Sequence, residues 1–222
     1  MYSIVGPFNS YKNYNIYIYI YMLELTDTQN KQISKAIRYA KRYENYPYKL
    51  CNKNPVKNTN IDKGPFWCVN EKTPLMMQVK KSGLNCTGLA NLVRRHMRLQ
   101  VPGKVTGQKL TLDDKKWPGS SSAWFNYLKN EKRLQKINFN KVYPKGTLLI
   151  QDYNPKDQGH ISFTINSSKN GLLESKIIHC INDKDKETGK VYKSVVIEKL
   201  KDYYNYKRHT HICLPQNWLL KN

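Results

Sequence analysis

The stretch NCTGLANLV, residues 85–93, predicts a helix that begins at a cysteine. Asn85 is a favourable N-cap residue, because its side chain can accept a hydrogen bond from the unpaired N–H groups of the first turn. Apolar residues then recur at helical spacing on one face: Leu89, Leu92, Val93 and Met97. The pattern therefore places Cys86 in the first turn of a helix whose apolar face enters the core.

Cys86 is the candidate nucleophile of this chain. A cysteine attacks as its thiolate, and the N–H groups and dipole of a helix start favour negative charge, so the position predicts a lowered thiol pKa. Gly88 leaves space for a substrate beside the thiol, and the backbone N–H of Cys86 is a candidate oxyanion donor. A cysteine in this position is more often a small buried apolar residue, so further groups are needed to support the interpretation.

Another helix is predicted upstream, over residues 27–43. Thr26 and Gln29 have the spacing of a capping box, and apolar residues then recur three and four residues apart. The helix should end before Pro47, because proline disfavours helical geometry in the residue that precedes it. Residues 52–68 are rich in Asn, Lys and Pro and predict a long surface loop.

The first 25 residues contain an alternation of Tyr and Ile in NYNIYIYI, residues 14–21. Alternation with a period of two is typical of a strand. We expect residues 1–25 to form an N-terminal extension, either partly disordered or an extra strand. The remaining residues, 26–222, then form one domain.

The second half of the chain changes from helical to strand patterns. A third helix is predicted over residues 122–135, with Trp124, Tyr127, Leu128 and Leu134 as its buried face. Turn residues then separate four predicted strands: TLLIQ at 147–151, GHISFTI at 159–165, SKIIHCI at 175–181 and KVYKSVVIEKL at 190–200. The connections are too short for parallel crossovers. The expected fold is α+β, with N-terminal helices packed on a central antiparallel β-sheet.

Two of these strands carry a histidine. His160 opens one strand directly after Gly159, and His179 lies in the middle of the next. Adjacent strands can direct both imidazoles toward one helix N-terminus, which is the arrangement that a thiol, its base and an orienting group require. We therefore predict a catalytic set of Cys86, His160 and His179, although a histidine on a strand more often has only a structural role.

Composition and charge limit the partners. The chain has 222 residues, and its 38 Lys and Arg against 16 Asp and Glu give a formal charge of +22. Such a charge attracts nucleic acid, anionic cell-wall polymers and acidic membrane surfaces. The basic residues are scattered among Asn and Tyr, so a coding bias toward Lys, Asn, Tyr and Ile is an alternative explanation.

The five cysteines have no metal-site spacing, and no metal or organic cofactor is expected. Reduced cysteines in a cytosol-like compartment are the simpler interpretation, with a Cys51–Cys68 disulfide as the alternative. The sequence shows no signal peptide and no apolar run that could span a bilayer. We expect a soluble or peripherally attached protein, in a cytoplasmic, virion or host-cell context.

In their order, these motifs resemble the NlpC-type cell-wall peptidases, a family of small papain-like cysteine peptidases. The resemblance covers roughly residues 30–185 and is carried by five segments: AIRYAKRYENYPYKL, NCTGLANLV, YPKGTLLI, GHISFTI and IIHCI. It implies a papain-like fold and a thiol-dependent endopeptidase that cleaves peptide stems of peptidoglycan. It also implies that Cys86 is the nucleophile, His160 the base, His179 the third polar residue and Tyr48 the active-site tyrosine.

The chain departs from the family pattern near the nucleophile. Asn85 and Thr87 stand where the family favours Asp and Ser, and residues 145–147 (KGT) replace its Pro-Gly-Asp. These differences affect substrate recognition more than the chemistry. Two alternatives remain: acyl transfer or hydrolysis on lipid or modified-protein substrates by the same three residues, or a noncatalytic basic protein that binds nucleic acid or an anionic surface.

The other conspicuous side chains are predicted to be structural. His96 and the basic run VRRHMR, residues 93–98, fit a solvated helix face. His209 and His211 resemble a metal pair but have no partner ligands in sequence, so surface or strand positions are expected. Cys180 should face the core, opposite to its neighbour His179. The tryptophans at positions 117, 124 and 218 are expected in the core or at a cleft.

Overall fold

The computed structural model describes residues 25–49, 75–104, 118–151, 159–184, 187–189 and 191–221. Most of the predicted N-terminal extension, Cys51, the loop over 52–68 with Cys68, and Trp117 lie outside the described residues. Leu25 lies inside them and packs against the core. The division of the chain at residue 25 stays a prediction.

Five α-helices lie in the described ranges: α1 Asp27–Lys41, α2 Met76–Ser82, α3 Cys86–His96, α4 Ser121–Asn130 and α5 Pro215–Leu219. The capping box at Thr26 and Gln29 is present at the start of α1, which confirms the predicted helix there. In α3 the Asn85 side chain accepts a hydrogen bond from the Gly88 N–H at 2.7 Å. This helix therefore begins at Cys86, as predicted. No described helix is both long and apolar enough to cross a membrane.

Six strands of the described residues form one sheet: β1 Gln135–Lys136, β2 Leu148–Ile150, β3 Ile161–Thr164, β4 Lys176–Lys184, β5 Val191–Lys199 and β6 His211–Cys213. Their order across the sheet is β1-β6-β2-β3-β4-β5, and every neighbouring pair is antiparallel. The α+β class and the antiparallel sheet are confirmed. The strands β1 and β6 were not predicted from the sequence, because neither short segment contains an apolar run like that of β2.

The sheet separates two apolar layers, because alternate residues of a strand face opposite sides. One layer lies toward the helices and includes Ile150, Ile161, Phe163, Ile178 and Cys180. The other includes Leu149, Ile177, Ile181, Leu200 and Ile212 and is closed by short 3₁₀ turns at Leu200–Asp202 and Tyr206–Arg208. Cys180 faces the helices, as expected, and its thiol donates to the Leu84 carbonyl at 3.3 Å.

The end of α4 differs from the prediction. The helix stops at Asn130 instead of residue 135, and Lys132 adopts the left-handed region with φ of 53°. Its buried face does include Trp124, Tyr127 and Leu128, whereas Leu134 lies beyond the helix and is only partly buried. The residues after the turn pair with β6 instead, with Gln135 opposite Ile212. Tertiary pairing thus overrides the helical propensity of this segment.

A buried arginine anchors the helix that carries Cys86. Arg94 is 4% exposed, and its guanidinium donates to the Gln100 carbonyl at 2.8 Å and to the Trp218 carbonyl at 2.9 Å. The expectation of a solvated face for the basic run is therefore wrong at Arg94. Trp124 and Trp218 are fully buried with their rings 5.9 Å apart, in the core as expected.

Candidate active site

Cys86 lies at the N-terminus of α3, where the first helical turn presents unpaired N–H groups. The residue is partly exposed. Its sulfur is close to the backbone N–H groups of Ile161, Thr87 and Cys86 itself, which favour the thiolate. Ile161 is the first residue of β3 and directly follows His160. The structure therefore brings the predicted nucleophile to the strand entrance that carries the predicted base.

Burial of the sulfur outweighs these N–H groups, so the pKa of the Cys86 thiol is raised. The prediction of a lowered pKa is wrong. The helix start does favour a negative charge, but the loss of water around the sulfur penalises it more. At neutral pH the resting site accordingly holds a thiol, which a base must deprotonate during reaction.

His160 enters β3 through a turn at Gly159, whose φ of 71° is in the left-handed region that glycine adopts without strain. The Nε2 atom of His160 lies 3.0 Å from the Nδ1 atom of His179. Among the described residues none hydrogen-bonds to the other ring nitrogen, Nδ1 of His160. The two predicted histidines are thus in direct contact through one ring nitrogen of each.

His179 is held in the middle of β4. It lies opposite Ser162 of β3 and Val196 of β5 and is 1% exposed. Its Nε2 atom lies 2.9 Å from the Oε1 atom of Glu198. Sequence reasoning missed Glu198, which is two residues beyond the register partner of His179 on the same face of the sheet. Only the register of β4 with β5 could have indicated this contact.

A third buried histidine completes the polar cluster. His209 is 1% exposed, and its ring centroid lies 5.5 Å from that of His160. The Nδ1 atom of His209 donates to the Tyr206 carbonyl at 3.0 Å, so its Nε2 atom accepts from the Ser162 hydroxyl, also at 3.0 Å. Its predicted surface or strand position is wrong. His211 does lie on a strand, β6, and is partly buried.

Burial also keeps the base neutral. It lowers the pKa of His160 well below the usual value, and the neighbouring His179, His209 and Arg208 lower it further. The pKa of His179 is lowered by burial too, although Glu198 opposes the shift. The Tyr203 ring packs against both histidines, with centroids 5.7 Å from His160 and 4.8 Å from His179. The resting pair is therefore a neutral thiol and a neutral imidazole.

Tyr48 lies beside the site. It forms a parallel bridge with Leu84, just before α3, and its N–H donates to the Lys193 carbonyl at 2.8 Å. Burial raises the pKa of Tyr48, and the nearby Cys86 thiolate would raise it further. The phenol therefore keeps its proton and can donate a hydrogen bond near the sulfur.

His96 departs in part from the solvated position predicted for it. Its ring stacks on that of Tyr39, with centroids 3.8 Å apart and planes 2° from parallel. It is partly buried and lies at the opposite end of α3 from Cys86. Among the described residues, no group of three His, Cys, Asp or Glu could hold a metal ion.

Acid should destabilise the fold through His209. Its pKa is lowered by burial to about 3, against an ordinary 6.5. Between these values the unfolded chain binds the proton and the folded chain does not, so the free energy of unfolding falls as the pH is lowered from 6.5 to 3. The loss approaches about 5 kcal/mol, at ~1.4 kcal/mol per pH unit. Urea unfolding at a series of pH values measures it.

The matched variants for this measurement are His209→Gln and His96→Gln. The first should reduce the pH dependence, because one depressed histidine titration is removed while those of His160 and His179 remain. The second should keep most of the wild-type slope, because His96 is only partly buried. If the free energy of unfolding of His209→Gln depends on pH as steeply as that of the wild type, His209 is not the source of this dependence.

The described residues thus form an α+β protein with a polar cluster at one end of a helix. A cysteine at the helix start lies near the beginning of β3, the two predicted histidines contact each other, and the second of them contacts a buried glutamate. No protein-family model matches the chain, and no curated protein sequence matches it either. A solved structure, a protein of the NLP/P60 family described as similar to lipoproteins, from Staphylococcus aureus subsp. aureus Mu50, aligns with 93% of this chain. The TM-score is 0.45, the identity is 11%, and the alignment spans 48% of that protein. At this level of similarity, function has to be argued from the site itself.

Proposed function

We propose that this chain is a papain-like cysteine hydrolase that cleaves an amide bond. Cys86 is the nucleophile, His160 the general base and acid, and His179 the residue that orients His160. The observation that carries the proposal is that the Cys86 sulfur lies at the backbone N–H of Ile161, the residue directly after His160, whose ring contacts that of His179 at 3.0 Å. This is the nucleophile, base and orienting group that covalent acyl transfer requires.

The first half of the reaction forms a thioester. The Nδ1 atom of His160 takes the proton of the Cys86 thiol as the sulfur attacks the carbonyl carbon of the substrate. The resulting tetrahedral intermediate collapses when the carbon–nitrogen bond breaks. The protonated His160 gives its proton to the leaving nitrogen, so a free amine departs and an acyl group remains on the sulfur.

The second half regenerates the thiol. Water attacks the thioester carbonyl and loses a proton to the Nδ1 atom of His160. The carbon–sulfur bond then breaks, a carboxylic acid leaves, and the proton on His160 returns to the sulfur. The net reaction consumes one water and one amide and yields one amine and one acid.

Two donors are available for the negative oxygen of each tetrahedral intermediate. The N–H of Cys86 belongs to the unpaired first turn of α3 and points to the reacting sulfur. The Tyr48 hydroxyl keeps its proton because burial raises its pKa. Donors held in place before the reaction stabilise charge that develops in the transition state, which is the largest contribution in many hydrolases.

The substrate class proposed is a peptide within an anionic polymer, such as the stem peptides of peptidoglycan. The resemblance of the sequence motifs to NlpC-type peptidases suggests the peptide, and the +22 charge suits the polymer.

Alkylation of the full chain tests the proposal. Purified stem peptides are incubated with the protein, and mass spectrometry detects the new amine and acid. Iodoacetamide is applied beforehand at alkaline pH, because the raised pKa of Cys86 makes the thiol slow to react at neutral pH. Hydrolysis should fall in proportion to the alkylated fraction of Cys86, as measured by peptide mapping.

Cys180 and Cys213 are internal controls in the same sample, since both are buried and should resist alkylation while the protein is folded. Full hydrolysis after complete alkylation of Cys86 would contradict the proposal. Transfer of the acyl group to an added amine, with no acid formed, would instead identify an acyltransferase.

A further inference from the structure

Glu198 is a nearly buried acidic side chain in contact with one of the two paired histidines. Its side chain is 8% exposed, and its Oε1 atom contacts His179 at 2.9 Å. Its other oxygen, Oε2, is buried and has no hydrogen-bond partner among the described residues. A buried carboxyl group with an unpaired oxygen costs stability, and groups that carry such a cost are found preferentially at functional sites.

The position of the proton on His179 follows from this contact. An ionised carboxylate can only accept hydrogen bonds, so the Nε2 atom of His179 carries the proton that it donates to Glu198. A neutral imidazole has one protonated nitrogen, and burial keeps His179 neutral. The Nδ1 atom of His179 is therefore a bare acceptor.

The contact with His179 also fixes the proton of His160. Because the Nδ1 atom of His179 can only accept, the Nε2 atom of His160 must donate across the 3.0 Å contact. The proton of neutral His160 is then on Nε2, and its Nδ1 atom is bare. A bare nitrogen is what a general base needs in order to take the proton of a thiol.

Without an acceptor behind His179, the opposite order of protons would be available. His179 could then carry its proton on Nδ1 and donate to His160, whose remaining proton would occupy the nitrogen that serves the thiol. Such a His160 could not act as a base without first losing that proton. The hydrogen bond made by the second ring nitrogen of a histidine decides between these tautomers.

We infer that Glu198 is a positioning residue, which fixes the tautomers of His179 and His160 so that the Nδ1 atom of His160 is free to accept the proton of Cys86. This inference rests on the proposed function, since it gives the base of that reaction its active form. Glu198 does not touch the reacting atoms and acts only through His179.

The variant Glu198→Gln tests the inference, because it keeps the shape of the side chain and adds an N–H donor. The glutamine can donate to the Nε2 atom of His179, which moves the proton of His179 to Nδ1 and that of His160 to Nδ1 as well. Nitrogen-15 NMR of the histidine rings of the full chain at neutral pH distinguishes these tautomers. The wild type should show His160 protonated on Nε2, and Glu198→Gln should show the reverse.

Kinetics of stem-peptide hydrolysis give the second readout. Glu198→Gln should lower kcat by roughly 10- to 1000-fold with little change in KM, which is the size expected for loss of a group that sets a histidine tautomer. Glu198→Asp keeps a carboxylate acceptor on a shorter side chain, farther from His179. It should recover part of this loss. The control is Glu174→Gln, which changes an acid that bridges Lys199 and Lys201 at the surface and should leave both the tautomers and kcat unchanged.

Two results would overturn the inference: a wild-type spectrum with His160 protonated on Nδ1, or an unchanged tautomer in Glu198→Leu, which removes the acceptor altogether and so excludes a glutamine rotated to present its oxygen. The wild-type spectrum decides even where the variant does not fold. The tautomers are read without any substrate, so the two proposals can fail separately. If Glu198→Gln reverses the tautomer of the wild type, but the wild type hydrolyses no amide, the role of Glu198 is supported and the proposed function is contradicted.

Discussion

Replacing Cys86 with alanine should lower kcat/KM for amide hydrolysis by about 10³- to 10⁶-fold, because the variant has no atom that can form the thioester. The fold should persist, since Cys86 is not fully buried and alanine favours the helix. Steady-state hydrolysis of stem peptides by wild type and variant, at equal concentrations of folded protein, measures the loss.

The control for this variant is Cys213→Ala, which removes a buried thiol on β6 that has no role in the proposed reaction. Its hydrolysis should match the wild type, although its stability should fall because a small cavity replaces the sulfur. Hydrolysis that survives in Cys86→Ala at more than a tenth of the wild-type rate would show that the nucleophile is another group.

The second large effect is expected for His160→Ala. Loss of the base should lower kcat by about 10²- to 10⁴-fold, because the raised pKa of Cys86 leaves a thiol that cannot ionise unaided at neutral pH. Rates from pH 6 to 10 provide the measurement. The residual rate should rise with pH as hydroxide replaces the missing base.

His96→Ala is the matched control, since His96 stacks on Tyr39 at the far end of the same helix. It should keep the wild-type rate and pH profile. Added imidazole should restore part of the activity of His160→Ala, because it can occupy the vacated space. A wild-type rate in His160→Ala would exclude this residue as the base.

The sequence predicted those parts of the site that depend on local patterns. Asn85 and the apolar stripe behind it locate the start of α3 to the residue, because capping and periodicity act within a few positions. The alternation in the strands of His160 and His179 puts these residues on faces that the structure confirms. Contact between the two imidazoles follows from antiparallel neighbours, which short connections favour.

Features that depend on long-range packing could not be predicted. Glu198 reaches His179 only through the register of β4 with β5, and His209 meets Ser162 after a turn at Tyr206–Arg208 that has no apolar pattern. The raised pKa of Cys86 depends on how closely β3 covers the sulfur. A helix start indicates the sign of the local field, but burial is a property of the folded chain.

Arg94 illustrates the same limit for charge. In the sequence it belongs to a basic run and suggests a solvated face. In the fold, backbone carbonyls of Gln100 and Trp218 accept its guanidinium hydrogens, and the side chain is almost fully buried. The carbonyl of Trp218 comes from the C-terminal helix α5, which no local signal connects to α3.

The central claim, that Cys86 forms a covalent bond to the acyl half of the substrate, is tested most directly by mass spectrometry of an acid-quenched reaction. Acid preserves a thioester, and peptide mapping locates it. An adduct with the mass of the acyl fragment is expected on Cys86, present during turnover and absent when the substrate is exhausted. Continued hydrolysis with Cys86 unmodified at every time point, or with the adduct on another residue, would contradict it.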